Sequence, residues 1–304
     1  MTRHWPFGVC LALGLAGAAL FPLLAGDYGI GVGLSLLSWI ALAASWGVLS
    51  GMTGYISLGH AVFYGIGGYV MVLSWTHLPL WLAVPLAGLA AATLALLLGY
   101  PCLRVRGPYF VILTLGVAEF VKYVVVAIEA ALGKAGRLLF GTPGLIELFY
   151  GMAVLAALSL AIAYAVRRSR FGAGLIAIRE DETAAETIGV DVVALKVAAF
   201  VLSAAIPGMV GALMMLRATY FEPLQVFSPV TSFTIVTIGI IGGSDDAPGA
   251  LLGAAFLVLL SELLWATTPE IYMIILGALL VGFVLFVPDG LYGRLRRLVL
   301  RPAS

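Results

Sequence analysis

Apolar residues run through this chain in long, nearly unbroken stretches rather than in the one-sided or alternating patterns of a soluble fold. Ten stretches approach the ~20 apolar residues that a helix needs to cross a bilayer with every backbone N–H and C=O paired internally. They are Phe7–Ala25, Gly31–Leu49, Ser57–Trp75, Leu80–Tyr100, Tyr109–Glu129, Leu148–Val166, Leu195–Leu216, Val226–Ile241, Gly249–Trp265 and Ile271–Val287. The third and eighth are short or interrupted. The pattern predicts an all-α, polytopic integral membrane protein, a single transmembrane domain over residues 1–304. A cytoplasmic loop falls at 167–193 and a basic tail at 288–304. The first stretch follows Thr2, Arg3 and His4 with no convincing Ala-x-Ala cleavage site, so it is expected to stay as an anchor.

Composition agrees with this reading. Of 304 residues, 62% are hydrophobic and 10% charged, against roughly 25% charged in a soluble domain, and the mean hydropathy is +1.13. A soluble protein this apolar could not cover its own surface, which excludes cytosolic enzymes, disordered chains and nucleic-acid binders. The placement of charge says more than its sum. With ten spans and both termini in the cytoplasm, 12 of the 16 Lys and Arg residues fall inside, Lys134, Arg137 and Arg217 fall outside, and Lys122 lies within a span. That is the asymmetry of the positive-inside rule. Cys10 and Cys102 have neither metal nor disulfide spacing and read as free packing residues.

Three places depart from plain hydrophobicity. The first is Arg167–Asp191, which carries nine charges. Ala177, Ile178, Ala184, Ala185 and Ile188 fall on one side of a helical wheel, with Arg179, Glu182, Thr183 and Glu186 on the other. Thr183 and Glu186 have capping-box spacing, and Gly189 is placed to end the short helix. Two readings stay open: a solvated loop with a few helical turns, or a docking helix for a cytoplasmic partner. Lys196, at the membrane edge outside the stripe, is expected to contribute little to docking.

The second is Gly51-Met-Thr-Gly-Tyr-Ile-Ser-Leu-Gly-His60, where three glycines, Thr53, Ser57 and His60 separate two apolar runs. Non-helical backbone at membrane depth is tolerated only inside protein or along a water-filled cavity, and Gly-interrupted segments in transporters point to substrate sites. Tyr55, Ser57, Gly59 and His60 are therefore candidates for the lining of a path. The alternative for His60 is an interfacial histidine bonded to backbone. Gly239-Ile-Ile-Gly-Gly-Ser-Asp-Asp246 is a possible counterpart. The third departure is Glu119 and Lys122, on one face of the fifth span, where ionisable groups face the bundle interior and usually pair. An ion pair that locks packing and a transport role are both open. Thr114 and Glu119 complete the candidate path. The Gly-x-x-x-Gly spacings at Gly47–Gly51, Gly239–Gly243 and Gly249–Gly253 are read as close helix packing.

Several chemistries are missing from the sequence. It has no Gly-x-x-x-x-Gly-Lys phosphate loop, no His-Glu-x-x-His and no Gly-x-Ser-x-Gly, so ATP hydrolysis by that route and zinc or serine hydrolysis are not expected. No catalytic or metal site is expected, and the chain is read as not an enzyme.

Gly51-Met-Thr-Gly-Tyr-Ile-Ser-Leu-Gly-His-Ala-Val-Phe-Tyr-Gly-Ile-Gly-Gly-Tyr69 resembles the signature segment of the permease subunits of branched-chain amino-acid ABC importers, the LivM type. Three further blocks follow in that family's order: Arg104-Val-Arg-Gly-Pro-Tyr-Phe-Val-Ile-Leu-Thr-Leu-Gly-Val-Ala-Glu119, the loop from Ser169-Arg-Phe-Gly to Gly189, and Gly242-Gly-Ser-Asp-Asp-Ala-Pro-Gly-Ala-Leu-Leu-Gly253. The last departs from the usual pattern at Ser244, Asp245 and Asp246. The Glu-Ala-Ala…Gly pattern of ABC permeases stands here as Thr183-Ala-Ala…Gly189, with Glu182 one place early.

The resemblance implies a bacterial inner-membrane permease paired with a second, homologous permease, two cytoplasmic ATPase subunits that bind the ATP, and an extracytoplasmic binding protein. Arg179, Glu180, Asp181, Glu182, Thr183, Ala184, Ala185, Ile188 and Gly189 would couple it to the ATPase. The cargo would be branched-chain or other small neutral amino acids, with urea or short amides as the alternative. A stand-alone carrier or channel, with Glu119 moving protons, would not need a docking stripe.

Overall fold

The computed structural model describes residues 5–133, 136–243, 247–267, 272–286 and 290–299. In chain order it runs α1 (Trp5–Leu24), α2 (Asp27–Trp46), α3 (His60–Ser74), α4 (Leu80–Cys102), α5 (Pro108–Ala131), β1 (Arg137–Leu138), α6 (Leu145–Arg168), α7 (Arg170–Glu180) and α8 (Glu182–Thr187). It continues through α9 (Val192–Ala218), β2 (Tyr220–Phe221), α10 (Pro223–Val226), α11 (Pro229–Gly242), α12 (Ala247–Thr267), α13 (Tyr272–Phe286) and α14 (Gly290–Val299). Each of the ten apolar stretches coincides with a helix, and among the described residues six helical segments are long and apolar enough to cross a membrane. These include Pro223–Gly242, which extends the short eighth stretch backwards through α10. The third stretch is shorter than its hydropathy suggests, because helix begins at His60 and not at Ser57.

Among the described residues the regular structure is helical apart from one feature the hydrophobic pattern does not announce. β1 and β2 pair antiparallel, Arg137 opposite Phe221 and Leu138 opposite Tyr220, and tie the α5–α6 connection to the end of α9. Ser244, Asp245, Asp246, Lys134 and residues 288–289 and 300–304 of the basic tail lie outside the described residues.

Side-chain size is distributed inside out. On α4, Ala83, Ala87, Ala91 and Ala95 recur every fourth residue and are wholly buried, while Leu82, Leu86, Leu89, Leu96 and Leu97 point outward. Lipid solvates leucine as well as protein does, so helices in a bilayer gain most by bringing small residues together and letting backbones approach. The alanine stripe meets α9, where a Cβ on Gly208 would strike Ala91 and the Ala87 carbonyl. α3 reaches α9 in the same way, with Gly67 against the Gly208 backbone and Gly211 against the Tyr64 backbone. α9 is thus the hub of the bundle. Inter-helix hydrogen bonds from Ser45 Oγ to the Ser203 carbonyl (2.6 Å) and from Ser159 Oγ to the Ala41 carbonyl (2.8 Å) hold α2 to α9 and to α6. Of the late Gly-x-x-x-Gly pairs, Gly249 lies on the backbone of Gly243 and Gly253 on that of Ile238, while Gly239 packs against the Trp46 ring.

Candidate functional site

The break between α2 and α3 is the centre of the site, and side chains hold four backbone N–H groups of its non-helical stretch, those of Tyr55, Ser57, Leu58 and Gly59. α2 ends in a π-helical turn, Gly47–Gly51, and a further helical turn carries it to Thr53. Gly54 takes a positive φ of 75°, which a Cβ would oppose, and the chain then runs without regular structure to Gly59. Along it, the Tyr55 N–H donates to Thr53 Oγ1 (3.2 Å), Ser57 N–H to Ser50 Oγ (3.2 Å), Leu58 N–H to Thr114 Oγ1 (3.1 Å) and Gly59 N–H to Ser57 Oγ (3.2 Å). Ser232 Oγ of α11 accepts from Ala61 N–H at 2.9 Å, and Trp46 Nε1 donates to the Ser57 carbonyl at 3.0 Å. Ser50, Thr53, Ser57, Thr114 and Ser232 are all buried. Unpaired backbone groups here would each cost about 1–3 kcal/mol, so these hydroxyls are what permits a non-helical segment between two apolar helices.

This assigns the candidate path residues. Ser57, Gly59, His60 and Thr114 are brought together, with Ser57 and His60 fully buried in protein. His60 is not the backbone-bonded interfacial histidine of the sequence reading: neither ring nitrogen has a hydrogen-bond partner among the described residues, and the ring lies edge-on to Phe63 with centroids 5.8 Å apart. Glu119 is not brought to the break. Its carboxylate pairs with Lys122, three residues on, so the ion-pair reading of these two is the one the geometry realises.

Tyr55 leads out of the break to the loop after α6. Its hydroxyl donates to Glu182 Oε2 at 2.7 Å, and Lys196 Nζ bonds Glu182 Oε1 at 2.8 Å, the Tyr55 hydroxyl at 3.2 Å and the Leu103 carbonyl at 3.3 Å. The ammonium also lies 4.6 Å from the centre of the Tyr55 ring. Arg106, at the turn before α5, approaches Glu182 to 3.3 Å. That turn needs Gly107, with φ 63°, to set Pro108 at the first helical position. Arg179 Nη1 donates to the Gly51 carbonyl at 2.7 Å, a second tie between loop and break. Partial burial pushes the Glu182 carboxyl up. The hydrogen bonds from Lys196 and Tyr55 and the charges of Lys196 and Arg106 outweigh it, so the net shift is downward.

The coupling-loop residues divide. α7 and α8 meet in an elbow at Asp181, whose side chain accepts from Thr183 N–H (2.9 Å) and Ala184 N–H (3.0 Å). Asp181 is therefore the cap, and the Thr183–Glu186 capping box does not form. Gly189, with φ 87°, ends the elbow as its position suggested. The apolar stripe does not stay on one surface: Ile178 and Ala185 turn inward to form a small cluster with Val192, whereas Ala184 is exposed and Ile188 is 76% exposed. Glu180 and Thr183 are exposed as well. The sequence reading missed Lys196, which is not a bystander at the membrane edge but 2% exposed at the heart of the ion cluster. A lone lysine one turn into an apolar run was the available signal.

A second ion cluster sits at the other end of α5. Glu129 is buried, paired bidentately with Arg137 at 2.6 and 2.9 Å, and accepts from the Tyr69 hydroxyl at 2.8 Å. From Pro108 to Glu129, α5 runs nearly six turns, roughly 30 Å at 1.5 Å per residue, so the two clusters are separated by about the thickness of a bilayer core.

Comparison with known proteins places these features. The sequence profile of a family described as "Branched-chain amino acid transport system / permease component" matches residues 29–284. The high-affinity branched-chain amino acid transport system permease protein LivM of Salmonella typhimurium is 29% identical over 90% of this chain and 72% of its own length, and LivM of Escherichia coli K12 matches to the same extent. No solved structure matches. The match spans the break, the Glu182 cluster and all helices from α2 to α12, so this multi-pass membrane chain belongs to the permease-component family of branched-chain amino acid transport systems.

Proposed function

We propose that this chain is one membrane subunit of an ATP-binding-cassette importer in the bacterial inner membrane, paired with a second, homologous permease and driven by two cytoplasmic ATPase subunits. It crosses the bilayer ten times with both termini and the α7–α8 elbow in the cytoplasm, the arrangement that keeps 12 of its 16 basic residues inside. An extracytoplasmic binding protein delivers the cargo to the opposite face, where the Glu129–Arg137 cluster lies. Cargo is a branched-chain or other small neutral amino acid, crossing as a zwitterion. ATP is held by the ATPase subunits.

The observation that carries this reading is the elbow. Its fold is held by an internal cluster and a capped turn, yet it presents the exposed Ile188 and Ala184 beside exposed Glu180 and Thr183. A large apolar side chain on a rigid, polar-rimmed protrusion suits a groove on a partner, as an amphipathic helix does. The path runs where the break and α5 meet, and Ser57, Gly59, His60 and Thr114 come to line it when the bundle opens.

Reconstitution tests the function directly. The complex in proteoliposomes should accumulate labelled leucine only with ATP inside. Uptake of labelled urea instead would move the cargo to the amide class, and ATP-independent uptake of either would refute the importer.

A further inference from the structure

We propose that Tyr55, Glu182 and Lys196 are positioning residues that form the joint through which movement of the α7–α8 elbow is carried into the break between α2 and α3. The inference rests on the reading of the elbow as the ATPase-docking element and goes beyond it to the residues that receive the motion.

Two hydrogen bonds tie the elbow to the break. Arg179 holds the Gly51 carbonyl at the last residue of the π-helical turn, and Glu182 holds the Tyr55 hydroxyl four residues on. A π turn leaves the helix ladder one residue out of step, and such turns inside α-helices are frequent at functional sites. The joint is anchored from below by Lys196, which reaches Glu182 from the first turns of α9 and also holds the carbonyl of Leu103 at the end of α4. Beyond Tyr55 the segment is bonded in turn to α5 through Thr114 and to α11 through Ser232. A displacement of Glu182 therefore reaches α4, α5, α9 and α11 through bonds of 3.3 Å or less, whereas the apolar cluster of Ile178, Ala185 and Val192 joins the elbow to α9. Charge-assisted hydrogen bonds suit such a joint because they are strong and directional, yet can be exchanged among Tyr55, Lys196 and Arg106 without leaving Glu182 unpaired.

The test uses the assembled transporter in proteoliposomes, with Tyr55→Phe, Glu182→Gln, the double variant, Lys196→Met and Lys196→Arg. Four quantities are read: retention of the ATPase subunits, basal ATP hydrolysis, hydrolysis stimulated by loaded binding protein, and labelled leucine taken up per ATP. Wild-type retention of the ATPase subunits reports on the docking reading by itself. Tyr55→Phe and Glu182→Gln should keep the ATPase subunits and basal hydrolysis while leucine per ATP falls about tenfold, the weight of one charge-assisted hydrogen bond. The double variant should be no worse than the worse single, because both remove one contact. Lys196→Arg should restore most of what Lys196→Met loses. Tyr55→Phe keeps its ring against Phe110 and Lys196, so it reads the contact even where Glu182→Gln lowers stability. Wild-type leucine per ATP in Tyr55→Phe, multiplicative losses in the double variant, or loss of the ATPase subunits from either single variant would each overturn the joint.

Discussion

Replacing Lys196 with methionine keeps most of the apolar stem and removes the ammonium, which makes it a direct measure of the ion cluster. The change deletes the 2.8 Å pair with Glu182, the 3.3 Å bond to the Leu103 carbonyl and the stacking of the ammonium on Tyr55. Removing one partner of a fully buried pair costs about 3–5 kcal/mol, chiefly because the other charge is left uncompensated. Glu182 keeps 14% of its side chain exposed and retains Arg106 at 3.3 Å, so part of that penalty is relieved. The expected loss is about 2–3 kcal/mol, a 30- to 150-fold shift of the unfolding equilibrium at roughly 1.36 kcal/mol per decade. Arg106→Met touches the same carboxylate from a side chain that is 60% exposed and should cost about 0.5 kcal/mol. Equilibrium unfolding in mixed micelles, followed by circular dichroism, measures both. The cycle of Lys196→Met with Glu182→Gln should return a coupling energy above about 1 kcal/mol. Lys196→Met no more destabilising than Arg106→Met, or an additive cycle, would show that the cluster is not a buried ionic joint.

Other consequences follow from the same geometry. Ile188→Glu should leave stability within about 0.5 kcal/mol but release the ATPase subunits on purification, whereas Ala185→Glu should unfold the elbow, detected as new proteolytic cleavage between α7 and α9. The opposite pattern would mean the inward and outward halves of the stripe are exchanged. Gly67→Ala drives a methyl into the Gly208 backbone and should cost about 1–3 kcal/mol, while Gly116→Ala, with nothing within 4 Å, should be near neutral in the same unfolding assay. Glu182 titrates below its ordinary value of 4.5. Its stabilising contribution is therefore complete above that pH and is lost as pH falls through the lower folded value. The gap between wild type and Glu182→Gln should close as pH falls below 4.5, and a constant gap would contradict the pairing. A cysteine at Glu180, with Cys10 and Cys102 replaced, should resist impermeant labelling in intact cells and react after permeabilisation. Labelling from outside would invert the proposed topology.

The helices, the class of protein and the location of the unusual segments were legible in the sequence, because a bilayer imposes one rule on every span and each exception stands out against it. The run of glycines and hydroxyls at Gly51–His60 could be recognised as a break for that reason. Gly189 as a turn and Glu119 with Lys122 as a pair were legible too, being local in the chain. What the sequence did not contain was which distant groups meet. Ser50, Trp46, Thr114 and Ser232 satisfy the break from three different helices, and nothing in their spacing announces it. The stripe from Ile178 to Ile188 looked continuous on a helical wheel because the wheel assumes one straight helix. Asp181 caps a second helix there and rotates Ala185 into the protein while leaving Ile188 outside. Lys196 looked peripheral by its position along the chain, and only the packing of α4, α8 and α9 around it decides that it is buried. Periodicity along the chain and the chemistry of single residues are carried by the sequence, but burial and pairing between helices are decided by how close small residues such as Gly67, Gly208 and Ala91 allow the backbones to come.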